Sequence, residues 1–376
     1  MNKIDSTDIP SAHPGKRGKK YEYKALGGLR GLFALFIFLH HVGWFPAGGD
    51  FAVSFFLMTS GFLMAAGYGN SIDEGRFKLK RFWIRRFQKI YPLHILCLIA
   101  TIAMGMWVLS IKSVATFILN LTLLQSWIPS PEVFFSGNPV AWFLADILFC
   151  YLMFPSLYRW VSSLKKADLS AIAQGRKNTK AEKKALMMAV ILGVYFAIVL
   201  CVPKDFCLGV VYINPLMRLM DFGIGVMLER AFGRHRIGME EIMERRVGTE
   251  EERSRNILEK VAIGAGIIFV AFWQHIPEGF ALVSWWWIPV MLLLIVFSNP
   301  TQSLIGEWLS CKAAQVAGKM SFSFFMVHYL IIQLVSSLFD QPADYPGIAV
   351  VAIAFVASVG LAYVIDRFLH FGWARV

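Results

Sequence analysis

Apolar residues run in stretches of membrane-crossing length near 28–46, 51–69, 92–110, 140–160, 186–202, 213–229, 261–274, 282–298, 322–339 and 347–369. A hydrocarbon core about 30 Å thick takes about 20 apolar residues as a helix, so this pattern predicts an all-α integral membrane protein. We expect roughly ten transmembrane helices in one bundle. The glycines of Gly48-Gly49-Asp50 mark the break between the first two spans. The stretch 114–128 is apolar but interrupted by Asn120 and Gln125 and closed by Pro129. That predicts a re-entrant piece or an interfacial helix in place of a span. Before the first span the chain is polar and basic, with no apolar run early enough for a cleaved signal peptide. Residues 1–24 are therefore expected to be a disordered basic cytoplasmic tail, and residues 25–376 a single transmembrane domain. Within it, the loop 230–260 mixes Glu240, Glu241, Glu244, Glu250, Glu251 and Glu252 with Arg and Lys, the pattern of a solvated helix or hairpin.

The basic residues orient this bundle. Lys16, Arg17, Lys19 and Lys20 precede the first span; Arg76 to Lys89, Lys165 to Lys184, and Arg230 to Lys260 fill alternate loops. The opposite side carries only Lys112 and Lys204. By the positive-inside rule both termini and the basic loops are cytoplasmic. Composition removes the competing classes. A chain of 376 residues could hold two or three soluble domains, but 57% of it is hydrophobic and 16% charged. A mean hydropathy of +0.56 agrees. The net charge of +12 is spread between spans and forms no nucleic-acid surface. The five cysteines show no Cys-x-x-Cys pairing and read as buried free thiols, with Cys201 and Cys207 close enough in sequence to bridge. No metal signature or phosphate-binding glycine loop is present. Trp285, Trp286 and Trp287 read as part of an interfacial aromatic belt.

Ionisable groups inside the first span supply the candidate chemistry, because such groups are costly at membrane depth and mark functional sites. Arg30 begins the span and His40-His41 end it. Arg30 and His41 are eleven residues apart, close to three full turns, so both leave nearly the same helix face about 16 Å apart along the axis. His40 falls roughly 80° round. A cation at the inner surface and an imidazole in the outer half would then line one cavity. The other histidines, His94, His275 and His328 among them, lack carboxylate or cysteine partners at ligand spacing, and a structural or solvated role is expected.

Gly28-Leu29-Arg30-Gly31 with His41, then Ala52-Val53-Ser54-Phe55-Phe56 and Ser60-Gly61-Phe62, resembles the membrane-bound acyltransferase-3 family. The resemblance continues through Arg85-Arg86-Phe87-Gln88-Lys89-Ile90-Tyr91-Pro92-Leu93, and more loosely through Trp142-Phe143-Leu144, Asn214-Pro215-Leu216 with Arg218 and Phe222, Ser321 to Phe324 with His328, and Asp366-Arg367. It implies transfer of an acyl group, often acetyl, from cytoplasmic acyl-CoA to hydroxyls of carbohydrates, lipid-linked glycans or secondary metabolites. Two departures stand out. Lys89 replaces the second arginine of the family's basic motif, keeping charge but losing the bidentate fork. Asp146 stands one position from where the family often carries an acid, which is Ile147 here. After the last helix we expect no fused hydrolase-like domain, which leaves open a separate extracytoplasmic partner.

Acyl transfer from a thioester to an alcohol needs a base for the hydroxyl, donors for the oxyanion and a cradle for the donor's phosphates. These tasks fall, as expectations, to His41 as general base with Arg30 beside it, and to Arg81, Arg85, Arg86 and Lys89 for acyl-CoA. His40, Ser60, Trp142 and Asn138 are expected near the acceptor. Each has a plain competitor. Arg30 can snorkel, the basic cluster can act as a topology determinant, and Ser60-Gly61 can serve close helix packing. The reading predicts no bound cofactor beyond acyl-CoA as co-substrate, a plasma-membrane location and no nucleic-acid partner. A transporter or flippase, with Arg30 and His41 lining its path, is the rival from another class. The other membrane O-acyltransferase class, which also uses an intramembrane histidine, is disfavoured by the Arg30–His41 pairing and the basic Tyr91-Pro92 motif.

Overall fold

The computed structural model describes residues 23–105, 113–174, 179–233, 249–298 and 303–368. The expected disordered tail up to residue 22 and residues 234–248 of the charged loop lie outside these. The described residues form helices and turns, with no strand among them. In chain order the helices are α1 (Lys24–His41), α2 (Pro46–Asp73), α3 (Leu79–Ala103), α4 (Val114–Leu121), α5 (Pro131–Phe134), α6 (Trp142–Gln174), α7 (Thr179–Cys201) and α8 (Lys204–Cys207). There follow α9 (Pro215–Leu228), α10 (Thr249–Phe272), α11 (Glu278–Leu282), α12 (Trp287–Phe297), α13 (Leu304–Ser310), α14 (Lys312–Leu338) and α15 (Ile348–Phe368).

Among the described residues six helical stretches are long and apolar enough to cross a membrane: Pro46–Asp73, Pro139–Ser163, Glu182–Cys201, Asn256–His275, Lys312–Leu338 and Ile348–Phe368. The stretches 204–212 and 215–232 meet at a 55° bend and make a seventh if they form one broken span. The expected count of ten is therefore not reached on length and composition. The helix Ser284–Phe297 is too short, whereas α1 and α3, at 18 and 25 residues, are long enough but too polar. Their polarity comes from the residues of chemical interest: Arg30 and two histidines on α1, five basic residues at the start of α3. The interrupted segment after α3 is the eight-residue α4 followed by short turns, too short to span.

Helices α2, α6 and α14 are mostly buried and form the centre, while α7 and α10 present most of their apolar surface outward, as lipid-facing helices do. Small residues set the close crossings, the usual device where lipid leaves no hydrophobic drive between helices. A Cβ on Gly28 would lie 2.1 Å from the Leu309 carbonyl oxygen, and one on Gly318 2.0 Å from that of Gly27. Gly61 and Gly225 bring α2 and α9 together in the same way, against Phe222 and Met58 carbonyls. The contacts Gly31 with Ala317, Phe38 with Phe324 and His41 with His328 advance together along both chains, so α1 and α14 run parallel.

Three sequence expectations change. Gly48, Gly49 and Asp50 lie inside α2; the break falls earlier, at Val42–Phe45, with Pro46 at the first helical position where its missing N–H is harmless. Gly49 is small because the His40 ring lies against it. The tryptophan run is no lipid-facing belt. Trp286 is fully buried and stacks on Phe51, Trp287 donates to the Asp221 carboxylate, and Trp285 donates to the Phe269 carbonyl at 2.9 Å. Finally, the cysteines are free as expected but not all buried: Cys201 and Cys207 are unbridged, and Cys207 is buried with its thiol 3.4 Å from the Val202 carbonyl. Cys97 and Cys150 are buried as expected, whereas Cys201 and Cys311 are exposed.

Candidate active site

Helix α1 carries Arg30 in its first half and His40 and His41 in its last turn, and neighbouring helices gather further polar groups around each. At the Arg30 end, Lys89 of α3 lies close enough to Arg86, Arg30 and Arg85 to feel the charge of each. Tyr151 of α6 faces both Arg30 and Arg86, and its hydroxyl lies within hydrogen-bonding reach of Ser60 on α2. The Arg86 guanidinium is buried among aromatic rings, 5.4 Å from the Tyr68 centroid and 5.6 Å from that of Tyr151. It donates to the Tyr68 hydroxyl at 2.7 Å, while its Nε has no hydrogen-bond partner. Four cations drawn together this way repel, and a polyanionic ligand would relieve that repulsion. Arg30 and Lys89 are each half-buried. Arg81, one turn nearer the start of α3, is exposed.

A cleft of about 500 Å³ opens beside this cluster between α3 and α6. Trp83, Ile84, Phe87 and Leu152 wall it, with the buried Arg86 and Tyr151 at its floor.

At the other end of α1, His41 sits in a nest of rings. His328 lies 5.1 Å away between centroids, Tyr329 4.9 Å and His40 5.1 Å. Like Arg30, His41 is half-buried. His40 turns aside, its Nδ1 donating to the Pro46 carbonyl at 2.6 Å, which ties the end of α1 to the start of α2. Asn138 is fully buried and donates to the Met326 carbonyl at 2.9 Å, two residues before His328 on α14. Trp142 opens α6 with its ring 5.0 Å from that of Tyr212. Of the residues expected near the acceptor, then, His40 and Asn138 bear on the His41 end, whereas Ser60 joins the cationic end. His328 went unrecognised because no carboxylate or cysteine stands at ligand spacing from it; only the fold brings it to His41. His94 bonds through Nε2 to the Asn120 carbonyl at 2.8 Å, and its buried Nδ1 has no hydrogen-bond partner. Among the described residues no group of three or more His, Cys, Asp or Glu side chains is placed to hold a metal ion.

A separate polar knot lies between α2, α6, α9 and α12. Arg218 is fully buried, pairs with Asp221 at 2.8 Å and donates through Nε to the Tyr212 carbonyl at 2.7 Å. Asp146 is buried beside it close to Ser126, whose hydroxyl donates to the Trp142 carbonyl at 2.9 Å.

A family profile described as an acyltransferase domain matches residues 23–367, nearly the whole chain. The chain belongs to the acyltransferase-3 family. The transferase is 23% identical to the acyltransferase MdmB of Streptomyces mycarofaciens over 354 residues, covering 85% of this chain and 80% of that one. It is 24% identical to BcsY of Komagataeibacter xylinus, named provisionally as a membrane-bound transacylase, over 92% of this chain and 82% of the relative. A shorter stretch of 77 residues is 40% identical to protein 2 in the picA locus of Rhizobium radiobacter, covering 19% of this chain and 40% of that protein. No solved structure matches the transferase.

Proposed function

We propose that this acyltransferase moves an acyl group, acetyl in the simplest case, from cytoplasmic acyl-CoA to a hydroxyl of a carbohydrate, lipid-linked glycan or secondary metabolite. The observation that carries the proposal is the polar division of α1, with a gathered cluster of cations at one end and an imidazole in a ring-lined nest about three turns away. The phosphates of coenzyme A lie among Arg30, Arg85, Arg86 and Lys89, with Arg81 at the entrance. The pantetheine arm bridges the distance along α1 and presents the thioester to His41. His41, acting as a neutral imidazole, takes the proton of the acceptor hydroxyl as the oxygen attacks the thioester carbonyl. The C–O bond forms, the C–S bond breaks, and the proton leaves with the coenzyme A thiolate. Asn138 and His40 border the acceptor side of His41, with Trp142 beyond them, and Ser60 with Tyr151 borders the donor side.

The same proposal places ten spans in the plasma membrane, with α1, α3 and α12 crossing beside the six apolar helices and the bent α8–α9 pair. The parallel run of α1 and α14, followed by the return of α15, supports putting both termini on one side, the cytoplasmic side by charge. A separate extracytoplasmic protein is then a candidate for carrying the acyl group onward.

The test is transfer of radiolabel from acetyl-CoA into the lipid and glycan fractions of membranes holding the full chain. His41→Gln is expected to abolish incorporation with the protein still inserted. Full turnover in that variant refutes the base, and transport of an acetylated solute without acyl consumption favours a transporter.

A further inference from the structure

The two ring nitrogens of His328 have different fates. Nδ1 lies 2.7 Å from the Phe325 carbonyl and 3.3 Å from that of Phe324, so it carries the proton and donates. A neutral imidazole protonated at Nδ1 keeps a bare lone pair at Nε2. That atom is fully buried and has no hydrogen-bond partner. Buried polar atoms are paired as a rule, and an orphaned acceptor calls for an explanation. The rings of Phe38, Phe324 and Phe325 pack around His328, at 6.4, 5.7 and 5.9 Å between centroids. None of them can donate. The nearest polar ring is His41, at 5.1 Å and tilted by 41°. A ring nitrogen lies about 1.1 Å from its own centroid, so at 5.1 Å two imidazoles that turn a nitrogen toward each other bring those atoms to about 2.9 Å, a hydrogen-bond distance.

We propose that His328 is the positioning residue of His41: its Nε2 accepts the N–H of the His41 ring and turns the opposite nitrogen toward the acceptor hydroxyl. This deepens the reading of His41 as the base and rests on it. The proton balance is simple. The acceptor O–H breaks, its proton bonds to the free nitrogen of His41, and the second N–H of the resulting imidazolium stays held by Nε2 of His328. When the C–S bond breaks, the coenzyme A thiolate takes the transferred proton from His41 and the pair returns to its starting tautomers. The orienting group of a catalytic histidine is commonly a carboxylate. A neutral imidazole does the same work here without placing a second charge in apolar surroundings. The other titratable groups facing the pair are His40 on α1, Tyr329 on α14 and Cys97 on α3, whose thiol lies 3.6 Å from the Met326 carbonyl; Asp344 stands beyond Tyr329.

Membranes holding the full chain, incubated with radiolabelled acetyl-CoA, give maximal rate and apparent KM for wild type, His328→Phe, His328→Gln, His328→Asn and His41→Gln. Phenylalanine keeps the ring among its aromatic neighbours but has no lone pair. Glutamine places an amide oxygen near the position of Nε2, whereas asparagine reaches only the position of Nδ1. The expected result is a maximal rate lowered about 10²-fold in His328→Phe at unchanged KM for acetyl-CoA, with glutamine restoring at least about tenfold and asparagine not. A purely structural histidine gives the reverse order, with phenylalanine or asparagine tolerated best, and that order overturns the proposal. So does a rate within twofold of wild type in His328→Phe. If His328→Phe does not assemble, the glutamine and asparagine variants decide alone. The two readings fail separately. Turnover retained in His41→Gln removes the base and this proposal with it, whereas loss in His41→Gln with no ordering among the His328 variants removes the positioning role only.

Discussion

Alanine at Gly28 or Gly318 should act on catalysis through helix spacing alone. Each new methyl would meet backbone that cannot step aside: the Leu309 carbonyl oxygen at 2.1 Å for Gly28, the Gly27 carbonyl oxygen at 2.0 Å for Gly318. Ordinary contact begins near 3.4 Å, so α1 must part from α13 by about 1.3 Å at Gly28 and from α14 by about 1.4 Å at Gly318. Forcing a methyl into a packed crossing costs about 1–3 kcal/mol. Replacing glycine by alanine inside a helix returns up to about 1 kcal/mol of backbone propensity. The net loss of stability is therefore modest. The chemical effect should be larger, because Arg30 sits two residues from Gly28 and moves with it, and a misplacement of about 1 Å in a reacting constellation can lower the rate about 10²-fold. Both variants are expected to insert, to lose a few degrees at most in a detergent thermal-shift assay, and to transfer label from acetyl-CoA about 10–100-fold more slowly. Gly264→Ala is the control, since nothing lies within 4 Å of its added methyl, and it should transfer at the wild-type rate. If Gly28→Ala and Gly318→Ala match Gly264→Ala in rate, the spacing of α1 from α13 and α14 does not hold the site.

Arg86→Ala should raise the apparent KM for acetyl-CoA about tenfold by removing one charge-assisted phosphate contact of about 1.5–3 kcal/mol. Tyr68→Phe removes only the 2.7 Å bond to Arg86 and should leave KM within about twofold; an equal rise in both variants makes Arg86 a structural arginine. A membrane-impermeant maleimide should label the exposed Cys201 only from outside intact cells and Cys311 only in inverted vesicles, and should spare the buried Cys97, Cys150 and Cys207. Labelling of both exposed thiols from one side contradicts the ten-span arrangement.

Much of this transferase is legible along the chain because the bilayer allows few choices. Long apolar runs become helices, and basic loops alternate between them. Helix α1 with Arg30 and His41 stands out because charge beside so long an apolar run is expensive in a membrane. The Gly48-Gly49-Asp50 stretch was misplaced as a break because glycine serves two needs with one residue. Here it makes room for His40 inside a helix that Pro46 starts earlier. The tryptophan run was misassigned for a related reason, since an indole suits an interface and a buried partner alike, and only the Asp221 carboxylate across the bundle selects the second.

What pattern along the chain cannot supply is the pairing of distant helices. His41 and His328 are separated by 287 positions, and nothing in their own neighbourhoods ties one to the other. The tie lies in Gly27 and Gly31 against Gly318 and Ala317, which set two helices parallel and in register from their first turns, while Gly28 seats α13 on the same face. Once that register is fixed, a helix that advances 1.5 Å per residue on both sides carries His41 and His328 to the same height. The glycines that look like a loose beginning to the first span are thus what make its last residue part of a pair.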